Sequence, residues 1–505
     1  MTTAIGPRAY HLTRPDSLGF FKRRSGRQFA IGAGGVALIV VAIAAHRLPP
    51  GARVGIAVAG AFVVALAAAR TLGGEDVIDL LTPVGRFALR ALRRRHRFVA
   101  PLVAFVGGEG AMIPPAFGGL ALFDFDAMAE LARAGGHIGI VHDKSDGTVS
   151  LALRVHGEGF LVAAPDEQDY RIDAWGQALA QFCREGHPVV RVAWSHWLAP
   201  AGIEEHRAWL EQSMRVDADE NMLAAYEDVL AIAGRSATRS EVLVTISVAT
   251  ARTKLLAHHH GDRLLAAIER LLDEADLFAG QMQRAGLVVS RPLPAGVLAR
   301  AVRDRLDPTT MRRLDVRGRS LGELSGVVSP QNAFPLVTEE TRTGLRADDS
   351  FHRAFRVAEW PRVAVRADWM AGFLCLPDVV RACSVVFLPE SRRLARRQAN
   401  ALATKVGATI DEKQDHGRRV GAEERRAQAA VDALDEELES GAGMELFTGF
   451  VDVTSPSPEG LEAACEQVLQ AAANAHLELR RLDFRHAEAV VCALPLGRGP
   501  LRGGR

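Results

Sequence analysis

The chain has 505 residues, with 61 lysines and arginines against 60 aspartates and glutamates, which gives a net charge of +1. Arginine is concentrated in the first hundred residues and the charges are mixed afterwards, so the basic surface is predicted to face a membrane and not a nucleic acid. The five cysteines stand far apart and never in a C-x-x-C spacing, which argues against zinc sites and disulfides and indicates a reduced, cytoplasmic body.

Two apolar segments near the start of the chain give the first structural prediction. Phe29 to Ala45 and Val54 to Ala69 carry no formal charge, and each is about 17 residues long, the lower limit for a membrane-spanning helix. Pro49-Pro50-Gly51 between them allows the chain to reverse at once. The pattern predicts a transmembrane helical hairpin over residues 29–69, preceded by a cytoplasmic leader, residues 1–28.

Lysines and arginines lie on both sides of this hairpin, whereas its turn contains only Arg47 and Arg53. By the positive-inside rule, both ends are predicted to be cytoplasmic, in a multi-pass protein of the cell (inner) membrane. A cleaved signal peptide is the alternative, because Lys22-Arg23-Arg24 precedes an apolar run. The second apolar run, which follows within ten residues, argues against cleavage.

A basic juxtamembrane helix is predicted within residues 70–100. Thr82-Pro83 is a typical helix start, and the residues after it divide into an apolar side and a basic side. The basic side carries Arg86, Arg90, Arg93, Arg94 and Arg97. We expect this helix to lie on the membrane and to bind anionic lipid; a solvated linker helix is the plainer alternative.

The rest of the chain alternates strands with helices, without the regular pattern of a doubly wound sheet. Asp146-Gly147 between apolar runs predicts a β-hairpin in a first α+β module over residues 101–306. Residues 307–350 are irregular and polar and are predicted to be a linker. A second α+β module over residues 351–505 has a similar order of strands and helices, which indicates a duplication. The predicted fold class is α+β, with a two-helix transmembrane hairpin followed by two cytoplasmic modules whose sheets are mainly antiparallel.

Candidate metal-binding and phosphate-binding residues are few, and each has a plainer explanation. Asp124-Phe125-Asp126 places two carboxylates on one side of a strand, but acids commonly alternate on the exposed side of a half-buried strand. His258-His259-His260 has no carboxylate or cysteine to complete a metal site. The glycines of 107–110 lack the P-loop pattern, and the chain contains no Gly-Lys dipeptide, so no ATPase motor is predicted.

Candidate catalytic residues surround the first hairpin, where His137, His142 and Asp143 offer acid–base groups without a nucleophile beside them. We therefore predict no catalytic, cofactor-binding or metal-binding residue and no enzymatic activity. The alternative from another class is a membrane-tethered enzyme, for which His142, Asp143 and Arg154 are the candidates. The arginine-rich helices of residues 391–438 are balanced by acids, so direct sequence-specific binding of nucleic acid is not predicted.

The chain as a whole resembles an actinobacterial family of conserved membrane proteins encoded with conjugation-like, type IV secretion-related machinery. The likeness covers the leader, the hairpin, the basic helix, Gly139 to Asp143, and Glu167-Gln168 to Trp175-Gly176. In that family the hairpin is similar to the PrgI-type small membrane subunit, and the soluble part is similar to the N-terminal domain of the TrbE/TraC-type conjugation ATPase. His486 to Gly499 resembles the stretch that closes this ATPase domain before its motor begins.

The resemblance implies a non-catalytic inner-membrane scaffold subunit of a conjugation-like transfer apparatus. A separate motor ATPase and other apparatus subunits are its implied partners. The chain is also expected to form homo-oligomers, and no cofactor is implied. A type VII secretion subunit of the EccE kind, which also joins a two-helix hairpin to a cytoplasmic domain, is the nearest alternative.

Overall fold

The computed structural model describes residues 8–10, 26–44, 49–68, 77–101, 113–133, 136–157, 159–201, 203, 206–207, 210, 213–214, 219–234, 237–253, 262–320, 328–417, 419–439 and 444–499. These residues form two compact units. The larger unit holds the described residues of Met1–Thr13, Arg97–Ala395 and Glu437–Arg505, and the smaller unit holds those of Arg14–His96 and Arg396–Glu436.

Helices and strands alternate along most of the described chain. The helices are α1 (Gly26–Ala44), α2 (Pro50–Ala68), α3 (Val77–Leu92), α4 (Ala127–Leu131), α5 (Pro165–Ala180), α6 (Glu220–Ala233), α7 (Arg263–Arg284), α8 (Ala295–Leu306), α9 (Pro308–Ser320), α10 (Ala371–Leu374), α11 (Arg392–Asp415), α12 (Ala422–Glu439), α13 (Pro458–Asn474) and α14 (His486–Ala493). The strands are β1 (Arg97–Val99), β2 (Leu120–Asp126), β3 (His137–Asp143), β4 (Thr148–His156), β5 (Val189–Pro200), β6 (Thr238–Ala249), β7 (Val288–Pro292), β8 (Val337–Glu340), β9 (Leu345–Ala347), β10 (Ser350–Glu359), β11 (Val380–Glu390), β12 (Met444–Ser455) and β13 (Glu478–Arg481).

The first two helices do not form the transmembrane hairpin predicted from the sequence. α1 and α2 have 19 residues each, but no helix in the described part of the chain is long and apolar enough to cross a membrane. Both helices are rich in glycine and alanine, whose small side chains add less apolar surface than those of leucine, isoleucine or phenylalanine, and each includes one arginine, Arg27 or Arg53. The prediction of a membrane-spanning hairpin is therefore wrong.

α1 and α2 pack against each other through two glycines. A Cβ atom placed on Gly60 would lie 2.7 Å from the backbone oxygen of Gly35, and one placed on Gly35 would lie 2.9 Å from the oxygen of Gly60. At the turn end of the pair, Arg53 Nε donates to the oxygen of Ala42, in the last turn of α1, at 3.0 Å. Two residues without side chains thus let the backbones touch.

The larger unit is built on one 13-stranded sheet. Its order is β1-β8-β9-β10-β12-β11-β5-β6-β4-β3-β2, with β13 beside β10 and β7 beside β4, and each of these pairings is antiparallel. The α+β class and the hairpin predicted at Asp146-Gly147 are confirmed, since β3 pairs with β4 across that turn. Strands from both predicted modules, however, belong to the same sheet.

The sheet has an internal two-fold arrangement about the pairing of β5 with β11, where Ser195 lies opposite Ser384. Outward from this pair, β6, β4, β3 and β2 match β12, β10, β9 and β8, and β7 matches β13. The helices follow the same order in the two halves. Along the first half they are α5, α6, α7 and α8, and their counterparts along the second half are, respectively, α10, the pair α11 and α12, α13, and α14.

Helices cover both faces of the sheet, since successive side chains of a strand point to opposite faces. On one face, α5 and α7 bury the apolar side chains of the first half, and α10 and α13 bury those of the second half. The opposite face carries a single core that α8 and α14 cover.

Residues 307–350, predicted as a linker, contain α9, β8 and β9. β8 pairs with β9 and β1, and β9 pairs with β10, so these strands complete one side of the sheet. Strands of four and three residues are too short for alternation to be recognised in sequence. Their pairing, with burial of Leu345 and Ala347, places them in the core.

Replacing Gly60 by alanine is expected to loosen the α1–α2 pair, although alanine favours a helix over glycine by roughly 1 kcal/mol. The added methyl group would meet Gly35 O and the Ile39 side chain, so the helices must separate. Gly55→Ala in the same helix is the matched control, because nothing lies within 4 Å of its added methyl group. Amide hydrogen exchange in α1 should accelerate only in Gly60→Ala; equal exchange in both variants would contradict the glycine contact.

Candidate functional site

The irregular segment Leu494–Gly499, called the closing segment below, lies over β3, β4, β5 and β6 on the face that α8 and α14 cover. Leu494 and Leu496 belong to the hydrophobic core of that face. Cys492 Sγ donates to Gly499 O at 3.0 Å, which ties the segment to α14. The closing segment is therefore packed into the core.

Arg498 fixes the closing segment to β3 by a two-pronged ion pair. Its Nε donates to Asp143 Oδ2 at 2.8 Å, and its Nη2 donates to Asp143 Oδ1 at 2.9 Å. The same guanidinium donates to the backbone oxygens of Ala116 at 2.9 Å and Gly118 at 3.0 Å. The pair joins residues 355 positions apart in the chain.

The carboxylate of Asp143 is ionised, and both of its oxygens accept hydrogen bonds. Burial by itself raises the pKa of Asp143, but hydrogen bonds from Arg498 and Ser145 outweigh burial and hold the pKa below its usual value. Its Oδ1 also accepts from the backbone N–H of Ser145 at 2.9 Å and of Asp146 at 3.3 Å. A carboxylate with this many donors is a weak base, so Asp143 is suited to structure and not to proton transfer.

Gly497 allows the segment to lie directly on the strands. It has φ +70°, and a Cβ atom there would collide with the hydroxyl oxygens of Ser150 and Ser247. Its carbonyl oxygen accepts from Arg191 Nη1 and from Ser247 Oγ, while Arg191 Nη2 donates to Asp146 Oδ2 at 3.1 Å. Only glycine meets both the left-handed backbone and the close approach.

The three candidate residues of an enzyme site make separate contacts. Arg154 Nη2 donates to Glu241 Oε1 at 2.6 Å, and Glu241 Oε2 accepts from the buried Arg305 at 2.9 Å. His142 and Asp143 are neighbours in one strand and so point to opposite faces of the sheet. The structure therefore does not bring His142, Asp143 and Arg154 together as a catalytic group.

The remaining acidic and histidine candidates are structural or fall outside the described residues. Asp126 caps α4 by accepting from the backbone N–H groups of Met128 and Ala129 at 3.0 and 3.1 Å, and Asp124 pairs with His137 Nδ1. His258-His259-His260 and the glycines of 107–110 lie outside the described residues. Within the described ranges, no group of three or more His, Cys, Asp or Glu side chains is placed to hold a metal ion.

A buried histidine–aspartate pair was not found by sequence reasoning. His352 Nδ1 lies 2.9 Å from Asp452 Oδ2, and His352 Nε2 lies 2.8 Å from the oxygen of Leu306 at the end of α8. Burial lowers the pKa of His352, but Asp452 and the Leu306 carbonyl outweigh it, so the pKa is raised. Both ring nitrogens are engaged, so the pair ties α8 to the sheet; no motif marks it, because its members are 100 residues apart.

No protein-family model matches this chain, and no curated protein matches it. The family resemblance drawn from the sequence therefore stays a prediction.

Arg498→Ala is expected to lower the free energy of unfolding by about 3 kcal/mol, because it leaves Asp143 as a buried, unpaired charge. Asp143→Asn in the same chain should recover part of this loss, because the uncompensated charge is then gone. Arg313→Ala is the control: its side chain is 72% exposed and lies 3.7 Å from Asp349, so the loss should stay below about 1 kcal/mol. Urea unfolding measures all four proteins, and equal losses for Arg498→Ala and Arg313→Ala would contradict the anchor.

Stability is expected to fall as the pH drops from 6.5 to 4, because burial lowers the pKa of His196 and of His486 to about 4 each. A histidine whose pKa is lower in the folded chain costs stability below its unfolded pKa, at about 1.4 kcal/mol per pH unit, until its folded pKa is reached. His486→Asn should remove one such proton from the slope, since an amide oxygen can replace Nδ1 as acceptor of the Ala354 N–H. Urea unfolding at several pH values tests this, and an unchanged slope would refute it.

Proposed function

We propose that this chain is a non-catalytic scaffold subunit of a conjugation-like, type IV secretion-related transfer apparatus, on which a separate motor ATPase docks. The observation that carries the proposal is the closing segment. It belongs to the stretch His486 to Gly499, which resembles the end of an ATPase N-terminal domain. Arg498, Arg191 and Gly497 fix it on the sheet. A segment held in this way completes a rigid platform, which suits a docking subunit.

The ion pairs and hydrogen bonds of the buried polar side chains also support the proposed scaffold role. Asp143 is held by Arg498, Arg154 by Glu241, and His352 by Asp452. These contacts stabilise the fold and leave none of the three side chains poised for acid–base chemistry. Among the described residues, the alternative hypothesis of a membrane-tethered enzyme has no comparable support from geometry.

The same proposal locates the protein on the cytoplasmic side of the cell membrane, with α3 on the lipid surface. Leu89 and Leu92 of α3 are 49% and 83% exposed, and Arg86 and Arg93 are exposed beside them. An exposed apolar strip flanked by arginines suits an anionic membrane surface. None of the five cysteines, all of which lie in the described part of the chain, forms a disulfide, as is usual in a reducing compartment.

Affinity capture of the tagged full chain from detergent-solubilised membranes of its host is expected to recover a conjugation-type ATPase. A second, differently tagged copy should be recovered as well, since a scaffold of this kind is expected to form homo-oligomers. An unrelated tagged membrane protein is the control. Recovery of type VII secretion subunits would favour the EccE-like alternative, and recovery of neither class would contradict the docking role.

Replacing Arg86 and Arg93 by glutamine is expected to weaken binding to phosphatidylglycerol vesicles about 30-fold, because each surface arginine contributes about 1 kcal/mol. Arg393→Gln with Arg397→Gln, a pair of exposed arginines on α11, is the control and should leave binding unchanged. Vesicle flotation measures both variants. Equal losses in the two pairs would show a general charge effect and would contradict a lipid-binding role for α3.

A further inference from the structure

An apolar stripe runs along α6 on the surface of the larger unit. It consists of four large side chains, Met222, Tyr226, Val229 and Ile232, which are 70%, 37%, 58% and 66% exposed. They recur at intervals of three and four residues, so they lie on one side of the helix over about 15 Å of its length. Single exposed apolar residues are common, but a contiguous row of them marks an interaction surface.

A different side of α6 faces the protein. Leu230 is buried, and a Cβ atom on Gly234, just after the helix, would lie 2.5 Å from the side chain of Ile203. Arg207 Nη2 donates to Glu227 Oε2 at 2.9 Å. These contacts hold α6 in place, so the stripe is formed before anything binds, which lowers the cost of binding.

The helices at the matching place in the second half bury their apolar side chains. α11 and α12 lie between β11 and β12, as α6 lies between β5 and β6. Val406 of α11 packs with Ala427 and Val431 of α12, and all three are buried. Exposure of large apolar side chains is therefore not a general property of helices at this place in the fold.

The charges of α6 indicate what kind of surface covers the stripe. Its charged residues are Glu220, Glu227 and Asp228, and its sequence contains no lysine or arginine. Glu227 is paired with Arg207. Asp228 is exposed and stands four residues before Ile232, so the two side chains are neighbours on the helix. The stripe is thus bordered by a negative charge.

This charge pattern disfavours two possible occupants. Helices that lie on anionic lipid carry lysine or arginine beside their apolar side, and α6 carries neither. Pairing of the stripe with itself in a second copy would be a contact between two identical patches. Such a contact would bring Asp228 of both copies to the rim of one interface, where like charges repel.

We propose that the stripe of α6 docks on another polypeptide, at an apolar surface that carries a lysine or arginine opposite Asp228. The four apolar side chains form the buried core of this contact, and the opposite charges at its rim fix the orientation of the partner. The inference rests on the docking role proposed above only in that the motor ATPase is the expected partner.

Photo-cross-linking in the host tests the occupant, with a photoreactive residue at Val229 in the stripe. The same residue at Leu161, which is 53% exposed outside α6, is the control. We expect Val229 to cross-link to a different polypeptide, at a segment that contains apolar residues and a lysine or arginine. Cross-links to lipid, to this chain or to an acidic segment, or a yield no higher than from Leu161, would overturn the proposal.

Val229→Ser with Ile232→Ser removes half of the stripe at exposed positions, so the fold should persist, which urea unfolding checks. Recovery of the motor ATPase with the tagged chain should fall at least about tenfold, because two apolar side chains are no longer buried on docking. Leu161→Ser with Val162→Ser, two exposed apolar residues outside α6, is the control and should leave recovery within about twofold. Equal recovery with both variants would overturn the proposal.

Asp228→Lys tests the charge at the rim of the stripe. It should lower the yield of the Val229 cross-link at least about fivefold, because a basic partner is then repelled. Asp415→Lys, the same change at an exposed residue of α11, is the control and should leave the yield unchanged. An equal yield in the two variants would overturn the basic partner surface.

The stripe proposal and the apparatus assignment fail in different ways. If Val229 cross-links to a basic, apolar segment of a polypeptide other than a secretion ATPase, the stripe is a docking surface and the apparatus assignment fails. If the ATPase is recovered equally with the unchanged chain and with Val229→Ser, Ile232→Ser, the apparatus assignment stands and only the stripe proposal fails.

Discussion

The antiparallel pairing of β5 with β11 is the contact on which the larger unit depends. It joins two halves of similar element order into one sheet. Without it, each half would present a long strand edge with unpaired backbone N–H and C=O groups, which is costly and prone to aggregate. Because β5 and β11 are central strands instead, both of their faces must be covered, and α8 and α14 share the core on one of them.

The shared sheet also accounts for the charges in the core. α8 is buried along nearly its whole length, yet it carries Arg303 and Arg305, which pair with Asp348 at 2.6 Å and Glu241 at 2.9 Å. A buried ion without a partner costs several kcal/mol, so these pairs fix the position of α8 over the sheet. Arg498 does the same for the closing segment through Asp143.

The two halves have diverged in the helices that cover them. α5 in the first half has 16 residues, whereas its counterpart α10 in the second half has four. The segment that follows each central strand also differs. α6 lies between β5 and β6, whereas two longer helices, α11 and α12, lie between β11 and β12.

Local signals in the sequence determined the α+β class and hairpins such as that at Asp146-Gly147, because strand alternation, helical spacing and turn residues act between neighbours. The same signals give a wrong prediction for α1 and α2, whose apolar composition indicates a membrane span, and they miss β8 and β9, which are too short to show a period. No local pattern could reveal that Asp143 meets Arg498, or that His352 meets Asp452. Only the tertiary structure decided those contacts, because pairing across 355 and 100 residues leaves no periodic trace in a single sequence.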